Sequence, residues 1–150
     1  MNASRFLITN EMLHQAVDNI VEQIEDSGIS YNHIIGLCRG GIVPAGYLSY
    51  RMGNIPVTCL NSPVSYPRSL MYDLAHANVL LIDNIATTGA TLSRVVEEIS
   101  SIRQNDTFVG HVNSCALFAR HSAFGKVDYI GKSVLEENES RLVFPWESLK

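Results

Sequence analysis

The stretch Val79-Leu80-Leu81-Ile82-Asp83-Asn84-Ile85-Ala86-Thr87-Thr88-Gly89-Ala90-Thr91-Leu92 decides how this chain of 150 residues is read. Its first four residues are all apolar. A strand with one wet face would alternate, so this run predicts a parallel strand covered on both faces. A polar pair, Asp83 and Asn84, follows at the strand's carboxyl end, and residues 83–89 read as a loop rich in hydroxyls and glycine. The period then becomes helical, with Leu92, Val95, Val96, Ile99 and Ile102 on one face of residues 91–103. A buried strand, a polar turn and a helix start in direct succession make a place for an anion. The N–H groups of the turn and of the helix N-terminus face it. Thr87, Thr88 and Thr91 add hydroxyl donors, Gly89 permits close approach, and Asp83 and Asn84 can accept from sugar hydroxyls. A capped helix behind a core strand would use the same residue types, so the rest of the chain must decide.

Upstream, residues 33–37 form a second short apolar run, and Arg39-Gly40-Gly41 breaks it. Residues 42–52 read as a helix ending at Gly53, and residues 57–60 as another strand. Nearer the start, Leu13, Val17, Ile20 and Ile24 keep helical spacing, widened by Met12, Ala16 and Val21. Thr9 or Asn10 can cap that helix and Gly28 can end it. Downstream, residues 109–118 read as a strand and 127–130 as a shorter one. Strands alternating with helices predict an α/β fold, a largely parallel twisted sheet with helices on both faces. Residues 61–74, with Pro63 and Pro67, read as a loop long enough to act as a lid.

Composition narrows the function classes. Hydrophobic residues are 46% and charged residues 17%, which suits one domain over residues 1–150 with a substantial core. Net charge is −4, from 11 Lys+Arg against 15 Asp+Glu, and no basic run forms a nucleic-acid footprint. No apolar run reaches the roughly 18 residues of a membrane span, and the first residues lack a signal peptide's apolar region. Three cysteines without CxxC spacing point to a reducing, cytoplasmic location and away from a disulfide framework or zinc. They read as small buried hydrophobes, with Cys38 bordering an anion loop as an oxidisable thiol. The five histidines lack metal-ligand spacing.

The stretch from Val79 to Leu92 resembles the ribose-phosphate signature of the type I phosphoribosyltransferases: four apolar residues, two acids, then a Thr-Gly-x-Thr turn. Residues 35–46, around Arg39-Gly40-Gly41, resemble that family's pyrophosphate loop, where a non-proline cis peptide can occur near Cys38-Arg39-Gly40. Ser65-Tyr66 resembles the Ser-Tyr pair of its flexible hood loop, and Arg68 would add a cation there. The resemblance implies transfer of 5-phosphoribosyl from phosphoribosyl diphosphate (PRPP) to a nucleobase, with Mg2+, in a homodimer. It implies that Ala86, Thr87, Thr88, Gly89, Ala90 and Thr91 hold the 5-phosphate. Arg39, Gly40 and Gly41 would hold pyrophosphate, with Ser65 and Tyr66 closing over it. Asp83 and Asn84 would hold the ribose, Asp83 meeting the metal only through ribose hydroxyls or water.

The C-terminal part resembles the xanthine/hypoxanthine/guanine branch. Arg120 follows Phe118-Ala119 where that branch has a base-reading cation, and Leu142 and Val143 would offer backbone groups to the base. Arg141 stands where some members stack an aromatic ring, and Trp146 reads as packing. The chain departs from the pattern twice. Asn84 replaces the second acid, exchanging a charged hydrogen bond for a neutral one weaker by about 1 kcal/mol. Thr87 replaces the Asp that faces the purine in 6-oxopurine enzymes, and that bond contributes about 1.5–3 kcal/mol. Adenine and orotate branches lack an acid there. Purine transfer is therefore the first reading, with two alternatives: a phosphoribosyltransferase for another base, or a regulatory protein that binds PRPP or a nucleotide with little turnover.

Overall fold

In a computed structural model the described residues are 5–61, 74, 77–105, 110–134 and 141–147. Five strands form the main sheet: β2 (His33–Cys38), β3 (Val57–Asn61), β4 (Val79–Ala86), β5 (Val112–Arg120) and β6 (Tyr129–Val134). Their order is β3-β2-β4-β5-β6, and every neighbouring pair is parallel. A separate parallel pair joins β1 (Arg5–Leu7) to β7 (Arg141–Val143). The helices are α1 (Asn10–Ser27), α2 (Ile42–Arg51) and α3 (Ala90–Asn105).

The apolar run that opened the sequence reading sits at the centre of this sheet. Val79, Leu80, Leu81 and Ile82 are all fully buried. Successive strand residues face opposite sides. Leu80 and Ile82 therefore join the layer of α1 and α2, with Leu13, Ile20, Ala45 and Leu48. Val79 and Leu81 join the layer of α3, with Leu92, Val95 and Ile99. Helices cover both faces, as expected of a parallel sheet. Thr9 caps α1 by accepting the Met12 N–H at 3.1 Å, and Gly28, at φ 74°, ends it. An ion pair between Arg51 and Asp18 ties α2 to α1.

Several boundaries differ from the sequence reading for one reason: pairing partners decide where a strand ends. Residues 83–86, read as loop, continue β4, because β5 runs on beside them and pairs Ala116 with Asp83 and Phe118 with Ile85. β5 itself runs two residues beyond Phe118, where β6 supplies partners for Ala119 and Arg120. β6 starts at Tyr129 because Asp128 turns its carboxylate to the Ser114 N–H at 2.9 Å. A short 3-10 turn, His121–Ala123, fills the connection. β1 and β7 went unread; three residues each are too few to show a period. Cys59 is exposed on an edge strand rather than buried. Among the described residues no helix is long and apolar enough to cross a membrane.

Gly131 is where α1 meets β6. A Cβ there would lie 2.6 Å from the Leu117 carbonyl oxygen and 2.8 Å from that of Ala16. Both obstacles are backbone, so Gly131→Ala must push α1 off the sheet. Overpacking of this kind costs about 1–3 kcal/mol. Urea denaturation should show a lower midpoint with an unchanged slope.

Candidate active site

Because all five strands are parallel, their carboxyl ends lie along one edge of the sheet, where open α/β sheets bind ligands. That edge gathers Arg39 after β2, Asp83 to Ala86 in β4 and Arg120 at the end of β5. A cavity of about 140 Å3 opens there, lined by Asp83, Ile85, Ala86, Thr87, Thr88, Gly89, Ala90, Thr91 and Leu92. A buried water needs only about 10–15 Å3, so the space suits a larger polar ligand.

The turn after β4 is built as the sequence predicts. Gly89 has φ 79°, a left-handed conformation that favours glycine, and is buried against Lys126 and Val127. Ser93 donates its N–H to the Gly89 carbonyl at 3.0 Å, closing the first turn of α3. The Thr88 hydroxyl accepts the Ala90 N–H at 3.2 Å. Thr87, Thr88, Ala90 and Thr91 are exposed around the cavity.

The turn after β2 is pressed against β4. The Cys38–Arg39 peptide is cis, at the place the family resemblance implied. Gly41 donates its N–H to the Leu37 carbonyl at 2.7 Å, and Ile42 donates to the Arg39 carbonyl at 3.1 Å. The Gly41 amide is thus used inside the turn, and its structural part is close approach. A Cβ on Gly41 would strike the Ile82 carbonyl oxygen, and one on Gly40 would lie 2.6 Å from the Asn84 Cγ. Arg39 itself is exposed.

Asp83 and Asn84 take different positions. Asp83 lines the cavity, and its Oδ1 accepts the Asn84 N–H at 2.8 Å. Burial pushes its pKa up from 3.8 to about 6, and that amide bond partly offsets the shift. Asn84 packs its side chain against Gly40 and accepts the Ile85 N–H on Oδ1 at 2.8 Å. It stands between the two turns. No cluster of three or more His, Cys, Asp or Glu that could hold a metal occurs among the described residues.

Arg120 ends β5, paired in register with Val134. Leu142 and Val143 are buried in β7, and the Val143 carbonyl accepts the Ile8 N–H at 2.8 Å. Their neighbour Phe144 packs on Phe118, whose register partner is Ile85 in the cavity wall. The C-terminal strand therefore reaches the site's flank through Phe118. Trp146 stacks on Phe144 as packing, and Arg141 pairs with Glu147 at 3.3 Å on the surface. Ser65, Tyr66 and Arg68 lie outside the described residues. The sequence reading missed Ile85, which supplies an apolar wall; its place as the one large apolar residue between Asn84 and the threonines was the available signal.

Known proteins share this chain's fold and part of its sequence. An orotate phosphoribosyltransferase of Sulfurisphaera tokodaii is 33% identical over 101 residues, 61% of this chain and 47% of that protein. The chain thus spans about half the length of that curated relative. A purine phosphoribosyltransferase from Pyrococcus horikoshii Ot3 shares the fold with a TM-score of 0.74 at 23% identity, over 98% of this chain and 96% of that one. A hypothetical protein from Neisseria gonorrhoeae with bound ppGpp superposes with a TM-score of 0.79 at 18% identity, over 100% and 93%. Residues 8–148 match the phosphoribosyl transferase domain, and the chain belongs to that family.

Proposed function

We propose that the protein transfers 5-phosphoribosyl from PRPP to a ring nitrogen of a purine, a 6-oxopurine by preference, and releases pyrophosphate. The observation that carries this reading is the contact of Gly40 with Asn84. It holds two turns of anion-binding type side by side on neighbouring strand ends. One substrate with a phosphate at one end and a diphosphate at the other suits that pair. Thr87 to Thr91 hold the phosphate, and Arg39 with Gly40 holds the diphosphate, while Gly41, whose N–H is donated to the Leu37 carbonyl, lets the turn sit close against β4. Ser65 and Tyr66 close over it.

Asp83 is the centre of the chemistry in this reading. A buried carboxylate without a cation is costly, which is why its pKa rises to about 6. Positive charge develops at the sugar as the diphosphate leaves. The carboxylate gains most at that moment, so its stabilisation is larger in the transition state than in the ground state. The site's donor set suits Mg2+, which keeps its waters and takes one or two carboxylates with substrate phosphates. Asp83 would hold it through ribose hydroxyls or water, and the ion would neutralise the diphosphate. Arg120 reads the base, with Leu142 and Val143 at its edge, and Thr87 stands at the purine's side. The protein would work in the cytoplasm as a homodimer in base salvage.

Two observations favour specific alternatives. The relative named for orotate supports a pyrimidine acceptor. The structural neighbour with bound ppGpp, together with Asn84 and Thr87, supports a nucleotide-binding regulator. A pyrophosphate-release assay with PRPP, Mg2+ and separate bases divides them. Hypoxanthine, guanine or xanthine should turn over, and Arg120→Ala should raise their KM about tenfold or more while PRPP affinity holds. Turnover of orotate alone supports the pyrimidine branch. Tight PRPP binding with no turnover on any base overturns the enzyme reading.

A further inference from the structure

Cys38 and Cys59 lie side by side across β2 and β3. The register pairs Gly36 with Cys59 and Cys38 with Asn61. Partnered residues share a sheet face, and so do residues two apart on a strand. Cys38 and Cys59 are therefore diagonal neighbours on one face. Cys59 is exposed on the edge strand, while Cys38 is half-buried and is the last residue before the Arg39-Gly40-Gly41 turn.

We propose that Cys38 and Cys59 form a reversible intrachain disulfide, driven by a low-molecular-weight disulfide, that disables the neighbouring anion turn. The effect on ligand binding rests on the reading of residues 39–41 as the diphosphate cradle; the cross-link does not.

The chemistry balances in two steps. The exposed Cys59 gives up its proton, and its sulfur attacks the small disulfide RSSR, forming a mixed disulfide and expelling one thiolate. Cys38 then loses its proton and attacks the Cys59 sulfur, expelling the second thiolate. The two thiols are oxidised by two electrons, and RSSR is reduced to two RSH. Partial desolvation and the neighbouring Cys38 raise the Cys59 thiol's pKa, which keeps Cys59 slow to react until such an oxidant accumulates.

The turn cannot ignore this bond. A strand spacing of about 4.8 Å and a rise of about 3.3 Å per residue place the two Cα atoms about 8 Å apart. A relaxed disulfide spans about 4.4–6.8 Å. Closure must draw one backbone toward the other. Cys38 ends its strand, so it yields first, and it takes Arg39 with it. The Gly41 bond to Leu37 and the Ile42 bond to Arg39 hold the turn in shape. Gly40 and Gly41 have no free space against Asn84 and Ile82. A pull on Cys38 therefore breaks contacts instead of being absorbed.

The test uses the full chain incubated with oxidised glutathione, then read by peptide mapping, amide hydrogen exchange and pyrophosphate binding in Mg2+. We expect a Cys38–Cys59 link, with Cys115, buried in the core, remaining reduced. Exchange of the Gly41 and Ile42 amides should quicken, and pyrophosphate affinity should fall, each at least about tenfold and reversibly with dithiothreitol. Cys59→Ser should bind pyrophosphate equally well before and after treatment. A glutathione adduct without the Cys38–Cys59 link overturns the proposal. So does a link that leaves exchange at Gly41 and Ile42 unchanged. A reduced chain that binds no pyrophosphate overturns the transferase reading instead, and the mapping and exchange results still decide the switch.

Discussion

Gly40→Ala is expected to lower kcat/KM for PRPP about 100-fold or more while the protein stays folded. The backbone at Gly40 has no positive φ, so alanine is conformationally acceptable and the whole effect is one of space. The new methyl would enter the volume of the Asn84 amide. Asn84 can swing aside, which costs the Ile85 N–H its acceptor. Otherwise the turn lifts away from β4. Either response changes the spacing between the turn at residues 39–41 and the turn at residues 87–91, the two proposed anion sites. A misplacement near 1 Å is enough for a loss of about 100-fold, or about 2.7 kcal/mol. The local overpacking should lower Tm by only roughly 3–8 °C. The cause can be checked by a double-mutant cycle. Trimming Asn84 to alanine in the Gly40→Ala background should restore part of the lost activity, because it removes the obstacle. Wild-type kinetics for Gly40→Ala would show that this contact does not set the spacing.

Asp83→Asn should move stability and activity in opposite directions. Asp83 has its pKa raised from 3.8 to about 6 by burial. Between those values the folded state holds a proton that the unfolded state has lost. The native contribution is therefore fully present below about pH 3.8 and declines as pH rises through about 6. A shift of about two units corresponds to at most about 3 kcal/mol. Asparagine removes the charge and keeps an oxygen for the Asn84 N–H. Thermal unfolding should then show a higher Tm for Asp83→Asn at pH 8, by several degrees, and no gain at pH 3.5. Activity should fall by about 100-fold or more, since the charge proposed to answer the developing cation is gone. In the wild type, kcat/KM should fall about tenfold per pH unit below about pH 6. A rate that stays flat from pH 7 to pH 5 would remove the ionised carboxylate from the mechanism.

The pair of variants shows what the sequence could and could not reveal. Val79 to Ile82 announced a doubly covered strand, since only burial on both faces tolerates four apolar residues in a row. The turn from Thr87 to Thr91 was legible because Gly89 and the threonines mark a backbone conformation and a helix start. Both features are local. The extension of β4 through Asp83 and Asn84 was not legible, because it depends on β5 running alongside. The different fates of Asp83 and Asn84 were also hidden. Adjacent residues on a strand point oppositely, so one carboxylate enters the cavity while its neighbour meets Gly40. Which glycine would be there depended on the approach of another strand. Ile85 was passed over for a related reason: an apolar residue in a polar string looks like core until the cavity is seen.

The pairing of β1 with β7 carries a kinetic consequence. Arg5 lies opposite Arg141 and Leu7 opposite Val143, so this small sheet closes nearly the whole chain into a loop. The main sheet's strands pair with partners that are far closer in sequence. Contacts of such long range are the slowest to form, and in synthesis β1 must wait until β7 has emerged. The turn from Thr87 to Thr91, proposed to hold phosphate, can thus take shape while the strand holding Leu142 and Val143 is still missing. On the proposed reading, grip on the sugar phosphate would be acquired before choice of the base.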